Sequence, residues 1–499
     1  MTTNMVSVHN ILVEQTEPTR QSSRAELPSN RKSTLCRIAS ATRLRVSPHI
    51  STPSSNCTTA SAHVPTHSGT YLPIHTLPIE LLAEIFRLTL EEEDAHIVAT
   101  YRISQICSDW RNIACGSPQL WTGPLCVDLG SEKISGREDI YADGLEAWLA
   151  RSVPLSVPVS LRLELDRTKC NPRILEVVLK EAPRFRSLRC TNAPLSLISR
   201  LVECRLDSLE ELDLGFVESD SSAAEVPAFT MVPRLRKSSI PIRSKEPHVL
   251  IPWAQLTDVT LACDSIDIVL DILAQCATLT YAALYTSGWY TYPATTQLAR
   301  APLALSQLRT LTLDFGRSQH MMRFLSAVSA PALETLHLNF LEMQDDRMQS
   351  AGPLTAFLMQ SPSITRLEIQ CGSRAPTSHE FIDAFGCTVQ LTHLKLAYPC
   401  EHSFDDTLLE ALSCKDGVAP LVPNLHNLVL HRIMDRDGFA IEALERMFVS
   451  RWQQANAEIS SRSGLHDVAR WSHVELCRSL RGTFLHSLQR KGLPVELTD

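Results

Sequence analysis

One short pattern constrains this chain more than any other. It reads apolar-x-x-apolar-x-apolar, as in "LRTLTL", "LETLHL" and "LTHLKL". Copies start at Phe185, Leu209, Leu235, Leu256, Leu279, Leu308, Leu333, Ile364, Leu391 and Leu425, the one at Leu235 ("LRKSSI") being degenerate. The intervals run from 21 to 34 residues and average about 27. In a strand, alternate side chains face opposite ways, so the apolar fourth and sixth places of each copy face one core. Leu311, Leu313, Leu336, Leu338, Leu394, Leu396, Leu428 and Leu430 are therefore expected to be buried. Their neighbours Thr310, Thr312, Thr335, His337, His393, Lys395, Asn427 and Val429 are expected on the other face. Between the copies lie amphipathic helical stretches such as "PRILEVVLKEAP", "IDIVLDILAQ" and "LTAFLMQSP". Proline often ends the helix before the next strand, as in "SAPALETL". Strand plus helix, repeated and stacked, predicts an α/β solenoid with a parallel sheet on its concave side and helices outside. An ordinary α/β domain with leucine-rich strands would need ten near-copies to arise without a repeat.

The flanks divide the rest of the 499 residues. Residues 1–70 are rich in Ser, Thr, Pro and Arg ("STPSSNCTTASAHVPTHSGT") and predict a disordered tail, because such a composition buries too little surface to offset ordering entropy. Its Arg/Ser bias also suits a transit peptide, although Glu14, Glu17 and Glu26 intrude. His63 and His67, and the sequon at Asn56, read as chance matches there. Residues 71–125 form a small helical unit, 126–180 a linker and leading cap with a helix and an entry strand in 144–165, 181–435 the repeats, and 436–499 a C-terminal cap of helix, strand and helix.

Chemistry is sparse. There is no P-loop, GxSxG elbow, HExxH helix or dinucleotide GxGxxG, and only 17 glycines are present. The 15 cysteines include no CxxC pair, which suits free or buried thiols in a reducing compartment. A net charge of −8 argues against a generic nucleic-acid or anionic-membrane binder, and no apolar run is long enough to span a bilayer. Cys400, His402, Asp405 and Asp406 are the nearest thing to a ligand cluster, and a solvated loop is the plainer reading. The expectation is a non-catalytic chain with no cofactor and no metal.

The helical unit opens with "LPIELLAEIFRLTL". Pro78 suits a first helical turn, Glu80 favours the helix dipole, and Leu81, Leu82, Ile85, Phe86 and Leu88 form a broad apolar face. A second helix follows in "YRISQICSDWRNIACGSPQLW", with Ile103, Ile106, Cys107, Trp110, Ile113 and Ala114 three and four apart, then the hook Leu120 and Trp121. So small a unit has more apolar surface than it can hide, and the surface must meet either the rest of the chain or another protein.

The three pieces "LPIELLAEIF", "ISQICSDWRNIA" and "SPQLW", in that order, resemble the F-box, in particular that of many fungal proteins carrying irregular leucine-rich repeats. The resemblance implies a small all-α F-box ahead of an irregular leucine-rich-repeat horseshoe. It implies an F-box that binds a Skp-type adaptor, through it a cullin–RING ligase, and a repeat region that binds a protein substrate. By position, Leu77, Pro78, Leu82 and Ile85 would face the adaptor, while Ile106, Cys107, Trp110 and Trp121 would hold the fold and part of the contact. The implied role is substrate receptor of an SCF ubiquitin ligase in the cytoplasm and/or nucleus, without nucleic-acid or membrane partners. The alternatives are an adaptor-bound repeat scaffold that recruits no ligase, and an enzyme on an unfamiliar α/β fold. For the substrate, the aromatic stretch "YAALYTSGWYTYP" stands out, and Tyr281, Tyr285, Trp289 and Tyr290 are the candidate anchors.

Overall fold

The computed structural model describes residues 77–90, 96–129, 136–163, 171–191, 193–215, 217–218, 228–242, 249–286, 301–340, 351–372, 375–415, 420–432, 439–457, 468–477 and 482–498. The chain divides into two units, Met1–Tyr71 and Leu72–Asp499, and all described residues belong to the second. The expected tail therefore lies outside them.

Fourteen strands form one parallel sheet: β1 (Leu125–Asp128), β2 (Val157–Arg162), β3 (Phe185–Thr191), β4 (Glu211–Leu214), β5 (Lys237–Ile242), β6 (Asp258–Cys263), β7 (Tyr281–Thr286), β8 (Thr310–Phe315), β9 (Thr335–Asn339), β10 (Arg366–Gln370), β11 (His393–Ala397), β12 (Asn427–His431), β13 (His473–Cys477) and β14 (Val495–Thr498). Each pairs only with its predecessor and successor in the chain. That order is what stacked strand–helix units give, and the fold is a leucine-rich-repeat-like α/β solenoid. Two short parallel pairs, Ala193–Pro194 with Val217–Glu218 and Leu303–Ala304 with Val328–Ser329, lie outside the main sheet.

The hexad pattern aligns in register from strand to strand. One inner row runs Val259, Ala282, Leu311, Leu336, Leu367, Leu394, Leu428, Val474. Leu311, Leu313, Leu336, Leu338, Leu394, Leu396, Leu428 and Leu430 are all buried, as expected. Each buried leucine contributes about 2–3 kcal/mol of transfer free energy. The first hexad position is buried in every copy from Phe185 to Leu425, so it closes the core below the strand. On the opposite, open face the expected partners are half-buried, except Thr312, which is buried.

The sheet extends past the expected repeat region at both ends. The helix and strand expected in 144–165 are Glu138–Arg151 and β2, and the strand expected in 436–499 is β13, while β1 and β14 each add one further strand. These strands have shorter or weaker hexads, which is why the pattern alone stops short of them. In the last segment "LPVEL", expected to finish a helix, the chain turns at Gly492 (φ 80°) into β14 instead.

The covering helices start where the sequence supplies caps. Asn171 accepts hydrogen bonds from the N–H groups of Arg173 and Ile174 at 3.0 and 3.2 Å, with Pro172 opening Pro172–Lys180. Thr377 and Glu380 form a reciprocal capping box at Ser378–Gly386. At the C-terminal end, buried Arg451 donates to the carbonyls of Leu412, Leu421 and Val422 at 3.2, 3.0 and 2.9 Å, tying Ile441–Ala457 to the approach of β12. Burial pulls its guanidinium down to about 10, still charged at neutral pH.

Candidate interaction surfaces

The helical unit contains α1 (Ile79–Leu88), α2 (His96–Ile106), α3 (Ser108–Cys115) and a 3-10 turn, Pro118–Trp121. Cys107 caps α3, its sulfur accepting the Trp110 N–H at 3.5 Å. The unit's interior is built on Leu82, Phe86, Leu90, Ile103, Ile113, Leu120 and Trp121. Phe86 meets Trp110 with ring centroids 4.6 Å apart. Trp121 donates its indole N–H to the Ala114 carbonyl at 2.7 Å and packs edge-on to Trp148, 4.7 Å away. Trp148 belongs to Glu138–Arg151, the helix between β1 and β2, so an aromatic cluster joins the helical unit to the start of the solenoid. Arg151 lies over the Trp121 ring at 4.6 Å.

Helix α1 is apolar on two faces. Leu82 and Phe86, four apart, point inward. Leu81, Ile85 and Leu88, at the other helical phase, are exposed at 52%, 37% and 51%. Ile79 and Ile106 are exposed too, and Pro78 precedes the stripe. Two expectations change here. Leu82, expected to face outward, is 4% exposed, because it shares the inward phase with Phe86. Of the residues expected to hold the fold and part of the contact, Trp121 is buried and Trp110 half-buried, Cys107 is exposed while capping α3, and Ile106 is exposed and holds no part of the interior; Leu77 is half-buried. Leu81 and Leu88 were missed as outward residues. The signal was present: two apolar stripes, 82/86 and 81/85/88, run at different phases along one short helix.

The open face of the sheet has two distinct stretches. At its centre, Tyr281 and Tyr285 stand half-buried on β7, between Asp258 and Thr310 and between Ala262 and Asp314 respectively. Burial pushes both phenols above their ordinary value, although a hydrogen bond with Thr312 partly offsets this for Tyr281. Trp289 and Tyr290 lie outside the described residues.

Further along, the face is polar and charged. Arg366, His393, Asn427 and His473 form one row; Glu368, Lys395, Val429 and Glu475 form the next. These residues line a groove of about 340 Å³. Glu368 accepts from Arg366 (2.7 and 2.5 Å) and lies 3.2 Å from His337 Nδ1. Burial alone would raise the Glu368 carboxyl, but the bonds and charges of His337 and Arg366 hold it down at about 2. Burial, then the neighbouring His426 and Arg366, lowers the His393 imidazole. Glu475 lies 2.7 Å from His431 Nε2 and 3.5 Å from His473 Nε2. His337 and His431 thus have carboxylate partners on the adjacent strands, and His393 Nε2 meets the Asn427 side-chain amide.

The loop after β11 holds the suspected ligand cluster. There Asp405 caps Asp406–Leu412 through the Leu408 N–H (3.1 Å), and Asp406 accepts the Ala440 N–H at 2.8 Å. Cys400 Sγ lies 3.2 Å from His402 Nε2 and 3.0 Å from Ser403 Oγ. Among the described residues no three such groups are placed to hold a metal ion. A cavity of about 590 Å³ on the helical side contains the ion pairs Lys491–Glu445 and Lys415–Glu410 in its walls.

No protein-family model matches the chain, and no curated protein does. Solved structures that align with the chain include three of low identity and low structural similarity. The Rad7–Elc1 complex of yeast aligns at 15% identity and a TM-score of 0.37, over 72% of this chain and 92% of that one. A Bacteroides fragilis protein aligns at 11% identity and 0.32, over 74% and 82%. The TLR13–ssRNA13 complex aligns at 12% identity and 0.25, over 58% and 49%.

Proposed function

We propose that the chain is the substrate receptor of an SCF-type ubiquitin ligase, with an F-box in residues 77–121 that binds a Skp-type adaptor and a repeat array that binds the substrate. The observation that carries the reading is the second apolar face of α1. Leu81, Ile85 and Leu88 stay exposed while Leu82 and Phe86 anchor the helix inward. An exposed apolar stripe of this kind marks an interface. It falls in the segment whose three motif pieces resemble the F-box. The receptor itself performs no chemistry in this reading. It raises the effective concentration of substrate near the conjugating machinery. Tyr281 and Tyr285, with Trp289 and Tyr290, serve as aromatic anchors for the substrate.

The test is affinity purification of the intact chain beside Leu81→Asp and Ile85→Asp. Both variants place a charge in the contact and leave the inward anchors alone. Capture of the adaptor should be lost, at a cost of several kcal/mol, on the order of that for a buried unpaired charge, while the solenoid stays folded. Unchanged adaptor capture defeats the assignment. Adaptor captured without cullin favours a scaffold that recruits no ligase. For the anchors, a Tyr281→Ala, Tyr285→Ala variant should keep adaptor capture and lose substrate proximity labelling.

A further inference from the structure

We propose that Cys400 and Cys371 form a reversible oxidation site, in which a hydroperoxide oxidises Cys400 and Cys371 then closes a disulfide between the ends of β11 and β10. The inference goes beyond the receptor reading and does not rest on it.

The two thiols come from successive turns of the solenoid. Cys371 directly follows β10, on the inner phase of Leu367 and Ile369, and is 1% exposed. Its N–H donates at 2.6 Å to the carbonyl of Ala397, the last residue of β11. Cys400 lies just beyond, half-buried, with its Sγ 3.2 Å from the carbonyl oxygen of Gly372, the residue next to Cys371. Ser403 joins the pair. Its hydroxyl lies 3.0 Å from Cys400 Sγ and also hydrogen-bonds the Cys371 thiol, inside a fully buried residue. Both sulfurs therefore touch one oxygen. Neighbouring strands run about 4.8 Å apart, within the Cα separation that a disulfide spans. The loop that carries Cys400 is held in place by the His402 carbonyl, which accepts from the Ser378 N–H at 2.8 Å and its hydroxyl at 3.2 Å.

The environments assign the two roles. Burial holds the Cys371 thiol above its ordinary value, so it stays protonated and does not react first. Cys400 is reached from solvent, and Nε2 of the exposed His402 lies 3.2 Å from its sulfur, placed to take its proton. The Cys400 thiolate attacks one oxygen of the hydroperoxide. The O–O bond breaks, an S–O bond forms, and the leaving oxygen takes the proton held by His402. The Cys371 sulfur then attacks the Cys400 sulfenic acid. The S–O bond breaks, the S–S bond forms, and the hydroxyl leaves as water with the Cys371 proton. The thiol pair gives up two electrons, and the hydroperoxide accepts them. In a reducing compartment such a bond is transient, and a dithiol reopens it by exchange.

The test uses the full natural chain, hydrogen peroxide as the probe, and isotope-coded thiol alkylation read by peptide mass spectrometry. Trypsin places Cys371 in 367–374 and Cys400 in 396–415, where fragmentation separates it from Cys414. A cross-linked pair of these peptides should form and should disappear with dithiothreitol. Cys400 should be oxidised at least about tenfold faster than Cys107 and Cys115, which are more exposed. In Cys371→Ser the disulfide should be lost and dimedone should trap a sulfenic acid at Cys400. His402→Gln should slow the cross-link by about tenfold. If the natural chain leaves Cys371 reduced while Cys400 oxidises, or pairs Cys400 with another cysteine, the proposal falls, and that result needs no variant to fold. Oxidation of Cys107 and Cys115 as fast as Cys400 also overturns it, because exposure alone would then explain the reaction. An unchanged rate in His402→Gln overturns the assignment of the base.

Discussion

Helix α1 and strand β11 are both rich in leucine, yet they dispose of it in opposite ways. In β11 the period of two separates the residues cleanly: Leu394 and Leu396 are buried, and His393 and Lys395 face out. In α1 the apolar residues occupy two helical phases, and only one of them is covered by this chain. A strand inside a solenoid gains all its partners from neighbouring repeats of the same chain. A short helix at the end of the array, with an apolar residue on each side, has one face left over. The difference separates residues that hold the fold from residues available to another molecule.

The largest expected effect tests that separation directly. Leu394→Ala should cost about 2–5 kcal/mol in urea unfolding of the intact chain, because it removes a fully packed side chain from the inner row. Leu81→Ala should change stability by no more than about 0.5 kcal/mol. Comparable losses from both would mean that the chain covers the outer stripe of α1 itself, and the contrast would fail.

The fold was legible because the hexad fixes both the period and the facing. Ten copies place Leu311 through Leu430 in one core, and the register joins them row by row. The terminal strands were harder. "LCVD" and "VELT" are four residues each, too short for periodicity to separate from loop. The interaction surfaces were only half legible. Periodicity places a residue on a strand face with certainty, but α1 has apolar residues at two phases, and only packing shows that Leu82 is the inward one. His337 was assigned to the open face from sequence, but its place beside Glu368, which Arg366 also grips, depends on strand register and has no one-dimensional signal.

The open face can be pressed through acid. The Glu368 carboxyl sits at about 2 against an ordinary 4.5. A depressed carboxyl binds its proton more tightly in the unfolded chain, so its stabilisation is complete above about pH 4.5. It is lost as the pH falls towards 2, and amounts to at most about 3 kcal/mol. Glu368→Gln should flatten the pH dependence of unfolding in that window and leave the α1 surface untouched. A slope that persists in the variant would place the acid sensitivity elsewhere.

The helical unit offers the matching probe. A Cβ on Gly123 would come within 2.1 Å of the His96 ring, whose nitrogens lie 3.0 and 3.2 Å from the Leu120 and Leu90 carbonyls. Gly123→Ala should therefore displace the ring from between those carbonyls, costing about 1–3 kcal/mol. The loss should appear as earlier unfolding of residues 77–121 by hydrogen exchange, with β8–β12 protected as before. Uniform loss across the array would mean that the two regions unfold as one.

The smallest effect concerns the weakest copy of the repeat. In "LRKSSI" the fourth hexad position is Ser238, placed between Leu212 and Val259 in the inner row. It is 4% exposed, and its hydroxyl has no hydrogen-bond partner among the described residues. The row is apolar on both sides, so the hydroxyl is desolvated with nothing in return. Ser238→Ala removes it with almost no change in volume and should stabilise the chain by about 1 kcal/mol. Ser238→Val adds a methyl group that the flanking leucine and valine rows already accommodate at their own positions, and it should do at least as well if the space closes without strain. Urea midpoints of the two variants decide the matter. Destabilisation by alanine would mean that the hydroxyl is bonded after all, and that this copy departs from the apolar inner row for a structural reason; destabilisation by valine alone would show that the row narrows at β5.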